Sequence, residues 1–183
     1  TAWWQKDSKL SAPKNSNLKT VMDFSFFDKI NTAKNEQTET WFKGLDRIYN
    51  NFVYDFLYPN PASVLAFIEN HDTDRFLGEG DNLPMLKQAS TLLLTTRRIP
   101  QLYYGTEVMM NGVKSKSDGY VRKDFPGGWT GDATNALTPA GRTKIQNECY
   151  DFYKTILNWR KGNDVIAKGN MVQFMVQNGV YAY

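Results

Sequence analysis

Apolar and polar residues follow two different periods along this chain, and the periods mark out its elements. Residues 19–24 (KTVMDF) are a short β-branched and aromatic run after a polar, proline-containing stretch, which predicts a strand. Over 38–58 the side chains of Trp41, Leu45, Ile48, Phe52 and Phe56 recur every three or four positions, the spacing of one helical face. Pro59 and Pro61 bar that helix from continuing. Residues 62–68 (ASVLAFI) are almost continuously apolar, the pattern of a strand buried on both faces of a parallel sheet. A second helix is predicted over 82–96, with Leu83, Leu86, Ala89, Leu93 and Leu94 inward and Pro84 tolerated in its first turn. Residues 98–104 (RIPQLYY) predict a third strand, stopped by Gly105. A third helix is predicted over 139–161, where Ile145, Cys149, Phe152, Ile156 and Trp159 share a face. The tail changes period: 171–176 and 180–183 alternate about a Gln-Asn-Gly turn, as in an antiparallel hairpin.

Three successive strand–helix units imply an α/β protein with a parallel sheet and right-handed crossovers. Two closures satisfy that pattern, an open doubly wound sheet and an eight-fold barrel. No Gly-x-Gly-x-x-Gly follows any of the strands, so the dinucleotide fingerprint is missing. A whole barrel takes eight units and about 250 residues. Three units in 183 residues can only be part of one. The chain opens Thr1-Ala2-Trp3-Trp4 and ends Val180-Tyr181-Ala182-Tyr183 inside an alternation, so a piece of a longer protein is expected.

Composition narrows the class of partner. With 41% hydrophobic and 14% aromatic residues the chain can bury a sizeable core, which excludes a disordered or collagen-like segment. The net charge of +3 comes from 22 basic and 19 acidic side chains that are intermixed, with basic runs such as Arg97-Arg98 only two long. That leaves no electrostatic footprint for nucleic acid or a membrane surface. No apolar run approaches the ~20 residues that span a bilayer. The single cysteine, Cys149, excludes an internal disulfide and reads as a small buried hydrophobe.

Candidate chemistry gathers at the carboxyl end of the strand over 62–68. That strand runs into Glu69-Asn70-His71-Asp72-Thr73-Asp74-Arg75, which holds the only histidine of the chain. In parallel α/β folds reactive groups collect at such ends. An imidazole and carboxylates there could bind a polyhydroxylated ligand or stabilise developing positive charge. The alternative is an Asx-type turn with His71 bonded to a backbone carbonyl. One histidine, scattered carboxylates and a distant cysteine are poor zinc spacing, and no calcium loop of the Asp-x-Asp-x-Asp-Gly type is present. Trp3, Trp4, Tyr103, Tyr104, Tyr120, Phe125 and Trp129 fall near strand ends or in loops, where they are either sugar-stacking platforms or lids over a core. Trp41 and Trp159 sit on the predicted core faces. Residues 105–135 form a long polar stretch, and loops of that length in compact domains are usually functional. Within it, Phe125-Pro126-Gly127-Gly128-Trp129 suggests a tight turn that presents its aromatics.

These motifs resemble a known family. Phe67-Ile68-Glu69-Asn70-His71-Asp72-Thr73-Asp74-Arg75 resembles the last short conserved region of the α-amylase superfamily, glycoside hydrolase family 13. Ile99-Pro100-Gln101-Leu102-Tyr103-Tyr104-Gly105-Thr106-Glu107 resembles its strand-eight segment, and Val21-Met22-Asp23-Phe24 fits strand six. The run from Asp118-Gly119-Tyr120-Val121-Arg122 to Gly128-Trp129 is similar to a loop of neopullulanase and cyclomaltodextrinase-type members. The resemblance implies strands six to eight of a (β/α)8 barrel over 1–163, followed over 164–183 by the first strands of an antiparallel C-terminal β-domain. It implies that Asp72 is the catalytic carboxylate stabilising an oxocarbenium-like transition state. His71, Asn70, Arg75, Tyr104, Arg122 and Trp129 would bind or position substrate.

The same resemblance implies that the other two carboxylates lie elsewhere. The nucleophile's Gly-x-Arg-x-Asp pattern and the Asp-x-x-x-Asn-His of strand three do not occur in the chain. The expected parent is a retaining hydrolase of α-1,4 bonds in pullulan, cyclodextrins or maltooligosaccharides, with this chain inactive alone. A non-catalytic sugar-binding homologue is the rival. No cofactor is implied; some relatives hold calcium, which nothing in this sequence places. The bacterial periplasm is favoured over the cytoplasm by the resemblance, and composition does not choose. Exposed barrel edges predict self-association, with the apolar runs 64–68 and 92–94 as the contact sites.

Overall fold

The computed structural model describes residues 2–10, 15–36 and 41–183. They fall into two compact units. The first comprises 1–68, 95–101 and 163–183, and the second 69–94 and 102–162.

The first unit carries the sheet. β1 (Leu65–Ala66) and β2 (Ile99–Pro100) pair in parallel, Leu65 opposite Ile99 and Ala66 opposite Pro100. Met22 adds a third parallel row against Leu65. Leu65 donates to the Val21 carbonyl and Asp23 donates back to the Leu65 carbonyl, at 2.9 and 2.8 Å. The regular ladder is far shorter than the apolar runs predict. The central run is buried as expected, whereas Ile99, Leu102 and Tyr104 of the run 98–104 and Phe24 of the run 19–24 are exposed. Val64, Ala66 and Phe67 are wholly inaccessible, and Ile68 is 2% exposed. Apart from the partly exposed Leu65, the run 64–68 is interior, and in the second unit Leu93 and Leu94 are buried beside a partly exposed Leu92, so these runs are poor contact sites.

Directly after the Met22 row the chain turns into α1 (Phe24–Ala33), a helix the sequence reading leaves out. Asp23 starts it: its carboxylate caps the Phe26 amide at 3.0 Å. Phe26 and Ile30 then bury one face against α2 (Leu45–Val53), with the Phe26 and Phe52 rings 5.9 Å apart. Gln5 ties the start of the chain to the turn before β1. Its amide donates to the Asn60 carbonyl at 2.8 Å and accepts from the Asn60 amide at 2.9 Å.

The helix predicted over 38–58 forms only as α2 and a 3-10 turn at Tyr54–Leu57. Its first residues, 38–40, lie outside the described residues. Trp41 precedes the helix and is 76% exposed, and Phe56 is equally exposed. Ile48 and Phe52 are the positions of that stripe that reach the core. Beside α2, Glu36 accepts from both Nε and Nη2 of Arg47 and from the Gly44 amide, at 2.6–2.7 Å. The Arg47 hydrogen bond, then the Gly44 amide, pulls the Glu36 carboxyl from 4.5 down to about 2. A depressed folded-state pKa gives stability that is present above pH 4.5 and lost as pH falls toward 2. NMR titration of the Glu36 carboxyl should place its midpoint near 2, and Glu36→Gln should flatten the stability curve in that window.

A buried arginine closes this unit. Arg98 is fully inaccessible and is ion-paired to Asp23 and Asp55, with Asn51 at 3.2 Å from Nη1. Its guanidinium lies 4.8 Å from the Phe52 ring centroid. Burial lowers the guanidinium to about 9, which keeps it cationic at neutral pH. The tail folds back through an antiparallel bridge from Gln177 to Val180 around Asn178 and Gly179, both at positive φ. That is the Asn-Gly hairpin geometry expected from the sequence. A short helix, α6 (Asp164–Lys168), precedes it.

The second unit packs α3 (Leu83–Thr95, of which the unit holds all but the last residue) and α5 (Lys144–Lys161) around a core that includes Phe76, Val108 and Val121. Asn82 caps α3 at the Met85 amide, and Leu83, Leu86, Ala89, Leu93 and Leu94 are buried as the spacing predicts. α5 begins at Lys144, five residues after the predicted start, because Thr143 and Gln146 form a capping box there. Its buried face is Cys149 and Tyr153, whereas Ile145 and Trp159 are 39% and 45% exposed. The Cys149 thiol contacts the Thr106 carbonyl at 3.7 Å, and burial pushes it up to about 12.

Candidate active-site turn

The polar run after Ile68 folds as a turn with a buried base and an exposed tip. Asn70 builds the turn: its side-chain oxygen accepts from the Asp72 amide at 2.8 Å, and Thr73 Oγ1 accepts from the Asn70 amide at 2.9 Å. This is the Asx geometry weighed from sequence, and it leaves the next two side chains outward. His71 and Asp72 each have 58% of their side chain exposed.

Beneath them lies a charged base. Glu69 and Arg75, 2% and 0% exposed, pair at 3.2 Å. Glu69 also accepts from the Thr106 hydroxyl and the Phe76 amide. Burial raises the Glu69 carboxyl, and the bonds from Thr106, Phe76 and Arg75 each pull it back. Arg75 further donates to the Val121 carbonyl at 3.0 Å and to the Tyr104 carbonyl at 2.6 Å. Its guanidinium stacks 4.0 Å from the Tyr103 centroid and 4.9 Å from that of Tyr104.

At the tip, both oxygens of Asp72 are engaged. His71 Nε2 lies 3.1 Å from Oδ2, and Arg122 Nη2 lies 3.0 Å from Oδ1. Arg122 also donates from Nε to the His71 carbonyl at 2.8 Å. The structure therefore brings His71, Asp72 and Arg122 together at one surface, with Asn70 and Arg75 buried below. Tyr104 is 40% exposed, and its hydroxyl donates to the Lys123 carbonyl.

Trp129 stands apart from this group. Asp132 accepts from the Gly127 and Trp129 amides at 2.7 and 3.1 Å, forming a closed turn on which Trp129 is 67% exposed. The turn is tight: at Gly127, with φ near +97°, a β-carbon would meet the Asn135 side chain at 2.3 Å. The sequence reading places Glu69 in the polar run without assigning it the buried pair to Arg75, and gives no role to Lys114, Asp118 or Asp132. The i,i+4 spacing of Lys114, Asp118 and Arg122 is the sequence signal for these pairs.

Among the described residues no group of three or more His, Cys, Asp or Glu could hold a metal ion, and no helix is long and apolar enough to cross a membrane. No protein-family model matches the chain. It is 32% identical over 164 residues to a cyclomaltodextrin glucanotransferase of Thermoanaerobacterium thermosulfurigenes, which covers 90% of this chain and 20% of the relative. It is 30% identical to an α-amylase of Niallia circulans over 90% of this chain and 27% of that protein. The chain thus spans about a fifth to a quarter of the curated relatives it matches. Its fold is similar to that of an α-amylase from Geobacillus thermoleovorans, with a TM-score of 0.67 at 22% identity over 90% of this chain and 33% of the other. The γ-cyclomaltodextrin glucanotransferase of an alkalophilic Bacillus clarkii matches with the same score at 24% identity, over 99% and 24%.

Fold and turn together define a partial α/β protein of the α-amylase barrel type. The chain is homologous to the cyclomaltodextrin glucanotransferases and α-amylases of the α-amylase superfamily, glycoside hydrolase family 13. The relatives named here are glucanotransferases and amylases, with a cyclomaltodextrinase among the structural neighbours at a TM-score of 0.61.

Proposed function

We propose that this chain supplies the transition-state-stabilising side of the active site of a retaining α-glucan hydrolase or transferase. The observation that carries the reading is the His71–Asp72 pair, exposed side by side on a turn whose base is buried, in a chain homologous to enzymes of this kind. Retaining glycosidases develop positive charge at the sugar ring and use a nucleophile and an acid about 5 Å apart. Asp72 is the catalytic carboxylate that faces this charge, and His71 binds the same sugar. Arg122, Tyr104 and Trp129 contact substrate at the rim. Asn70 and Arg75 act through the turn, since both are buried beneath it.

In this reading the chain contributes strands six to eight of the barrel, and residues 164–183 lead into an antiparallel β-domain. They do so through the short helix Asp164–Lys168, where the resemblance implies strand, and then the Gln177–Val180 hairpin turn. The nucleophile and the proton donor belong to other parts of the whole protein, whose substrates are α-1,4-linked glucans such as pullulan, cyclodextrins or maltooligosaccharides. The test is product formation from pullulan and from cyclodextrin. The whole protein should release sugars and this chain alone should not. Release by this chain would overturn the reading, and silence of both would favour a sugar-binding homologue without catalysis.

The isolated chain should also associate with itself. Among the described residues the parallel rows run in the order Met22, Leu65, Ile99, so the outer edges lie at Met22 and Ile99. Near the first edge Trp3, Trp4, Leu18 and Phe24 line an apolar groove and are 49–59% exposed. Unpaired edges flanked by apolar surface recruit a second chain. Light scattering over a dilution series should show mass falling on dilution; a constant monomer mass would count against it.

A further inference from the structure

We propose that Lys114 and Asp118 are positioning residues that fix the Asp72 carboxylate through Arg122. This rests on the reading that Asp72 faces the substrate. An exposed aspartate on a turn samples several rotamers unless something holds it. Here a closed ring of contacts does so. Asp72 Oδ1 binds Arg122 Nη2 at 3.0 Å, and the same Nη2 lies 3.2 Å from Asp118 Oδ2. The other Asp118 oxygen binds Lys114 Nζ at 3.2 Å. Lys114 Nζ completes the ring by donating to the Asp72 backbone carbonyl at 3.0 Å.

The ring is anchored on both sides. The Lys114 amide donates to Asp74 Oδ1 at 2.6 Å, and Arg122 Nε donates to the His71 carbonyl at 2.8 Å. Asp118 and Arg122 flank a single helical turn, α4 (Asp118–Val121), which Ser117 caps at the Tyr120 amide. The strand of chain leading to it is held as well: the Gly112 carbonyl accepts from the Arg75 amide at 3.0 Å, next to the buried base. A β-carbon at Gly112 would meet the Tyr120 carbonyl at 2.8 Å, so the segment is folded tightly on itself. Lys114, more than any other group, holds the Asp118 carboxyl below its ordinary value, with Arg122 acting in the same direction. Isolated surface pairs contribute little, but a ring fixes each member by two others. Removing Asp118 opens the ring: Arg122 and Lys114 keep their direct contacts to Asp72 but each loses its second partner in the ring, so Asp72 is held less firmly.

Two readouts test this. In the whole protein, Asp118→Asn and Lys114→Met should each lower kcat about tenfold with KM nearly unchanged, the scale on which small misplacement of a reacting group acts. The double variant should be no worse than either single one, because one cut already opens the ring. In this chain His71 is the only histidine, so its Cε1 proton gives one unambiguous NMR signal at fixed pH. Both single variants should move that signal in the same direction while the circular dichroism spectrum stays unchanged. An unmoved His71 signal overturns the inference, as do additive losses in kcat. Absence of glucan turnover by the whole unsubstituted protein would instead sink the functional reading, and the His71 signal would still judge the ring.

Discussion

Arg75→Ala should destabilise the chain by about 3–5 kcal/mol in urea unfolding, the cost of stripping one partner from a buried ion pair. The substitution removes four interactions at once: the pair to Glu69, the bonds to the Val121 and Tyr104 carbonyls, and the stack on Tyr103. What makes it severe is the carboxylate left behind. Burial already raises Glu69, and Arg75 is one of the groups that pull it back. Without Arg75 its folded-state pKa rises further above the ordinary 4.5. A carboxyl raised in this way holds its proton more tightly when folded, so its contribution is present below pH 4.5 and lost as pH climbs through the folded value. The deficit of Arg75→Ala should therefore be largest at neutral pH and shrink in acid. Adding Glu69→Gln should recover part of it at pH 7. A deficit independent of pH, unaltered by the second change, would show that packing rather than the stranded charge sets the cost. Arg75→Lys should not rescue, since an ammonium cannot reach two carbonyls and a carboxylate while stacking on a ring.

Asp72→Asn in the whole protein should lower kcat by about 10²–10³-fold, the scale on which a group aimed at transition-state charge acts. The amide keeps the shape and can still accept from Arg122 or His71, so the turn should fold unchanged. What it lacks is the negative charge that an oxocarbenium-like sugar needs. KM should change far less than kcat, because ground-state sugar carries no charge to be met. A normal kcat in a correctly folded variant would remove Asp72 from the chemistry.

Much of this site was legible because its backbone is contiguous. An apolar strand that ends abruptly in seven polar residues announces a turn, and seven neighbours in sequence are neighbours in space. The burial of 64–68 and of the α3 stripe was legible for a similar reason, since spacing alone dictates which face is apolar. The extent of the ladder was not, because hydrogen bonding requires partners, and among the described residues only the rows at Met22 and Ile99 supply them. α1 went unread because its phenylalanines prolong an apolar run, and the break lies in the capping carboxylate of Asp23. Trp41 misled because periodicity carries no marker of where a helix begins. The ring was hidden for the opposite reason to the turn. The i,i+4 spacing of Lys114, Asp118 and Arg122 marks pairs among themselves, but they lie 42 to 50 residues from Asp72, and nothing in the sequence shows that distant contact.

The closed ring also sets what kind of ligand the exposed tip can welcome. Asp72 and Asp118 stand between Lys114 and Arg122, and Asp74 accepts from the Lys114 backbone amide, so most of the charge is met locally. A free cation finds the carboxylates taken, and a free anion finds the guanidinium taken. A neutral molecule with many hydroxyls can add hydrogen bonds at the rim without separating any pair. Uptake of such a ligand releases few counterions, so its affinity should be almost insensitive to ionic strength.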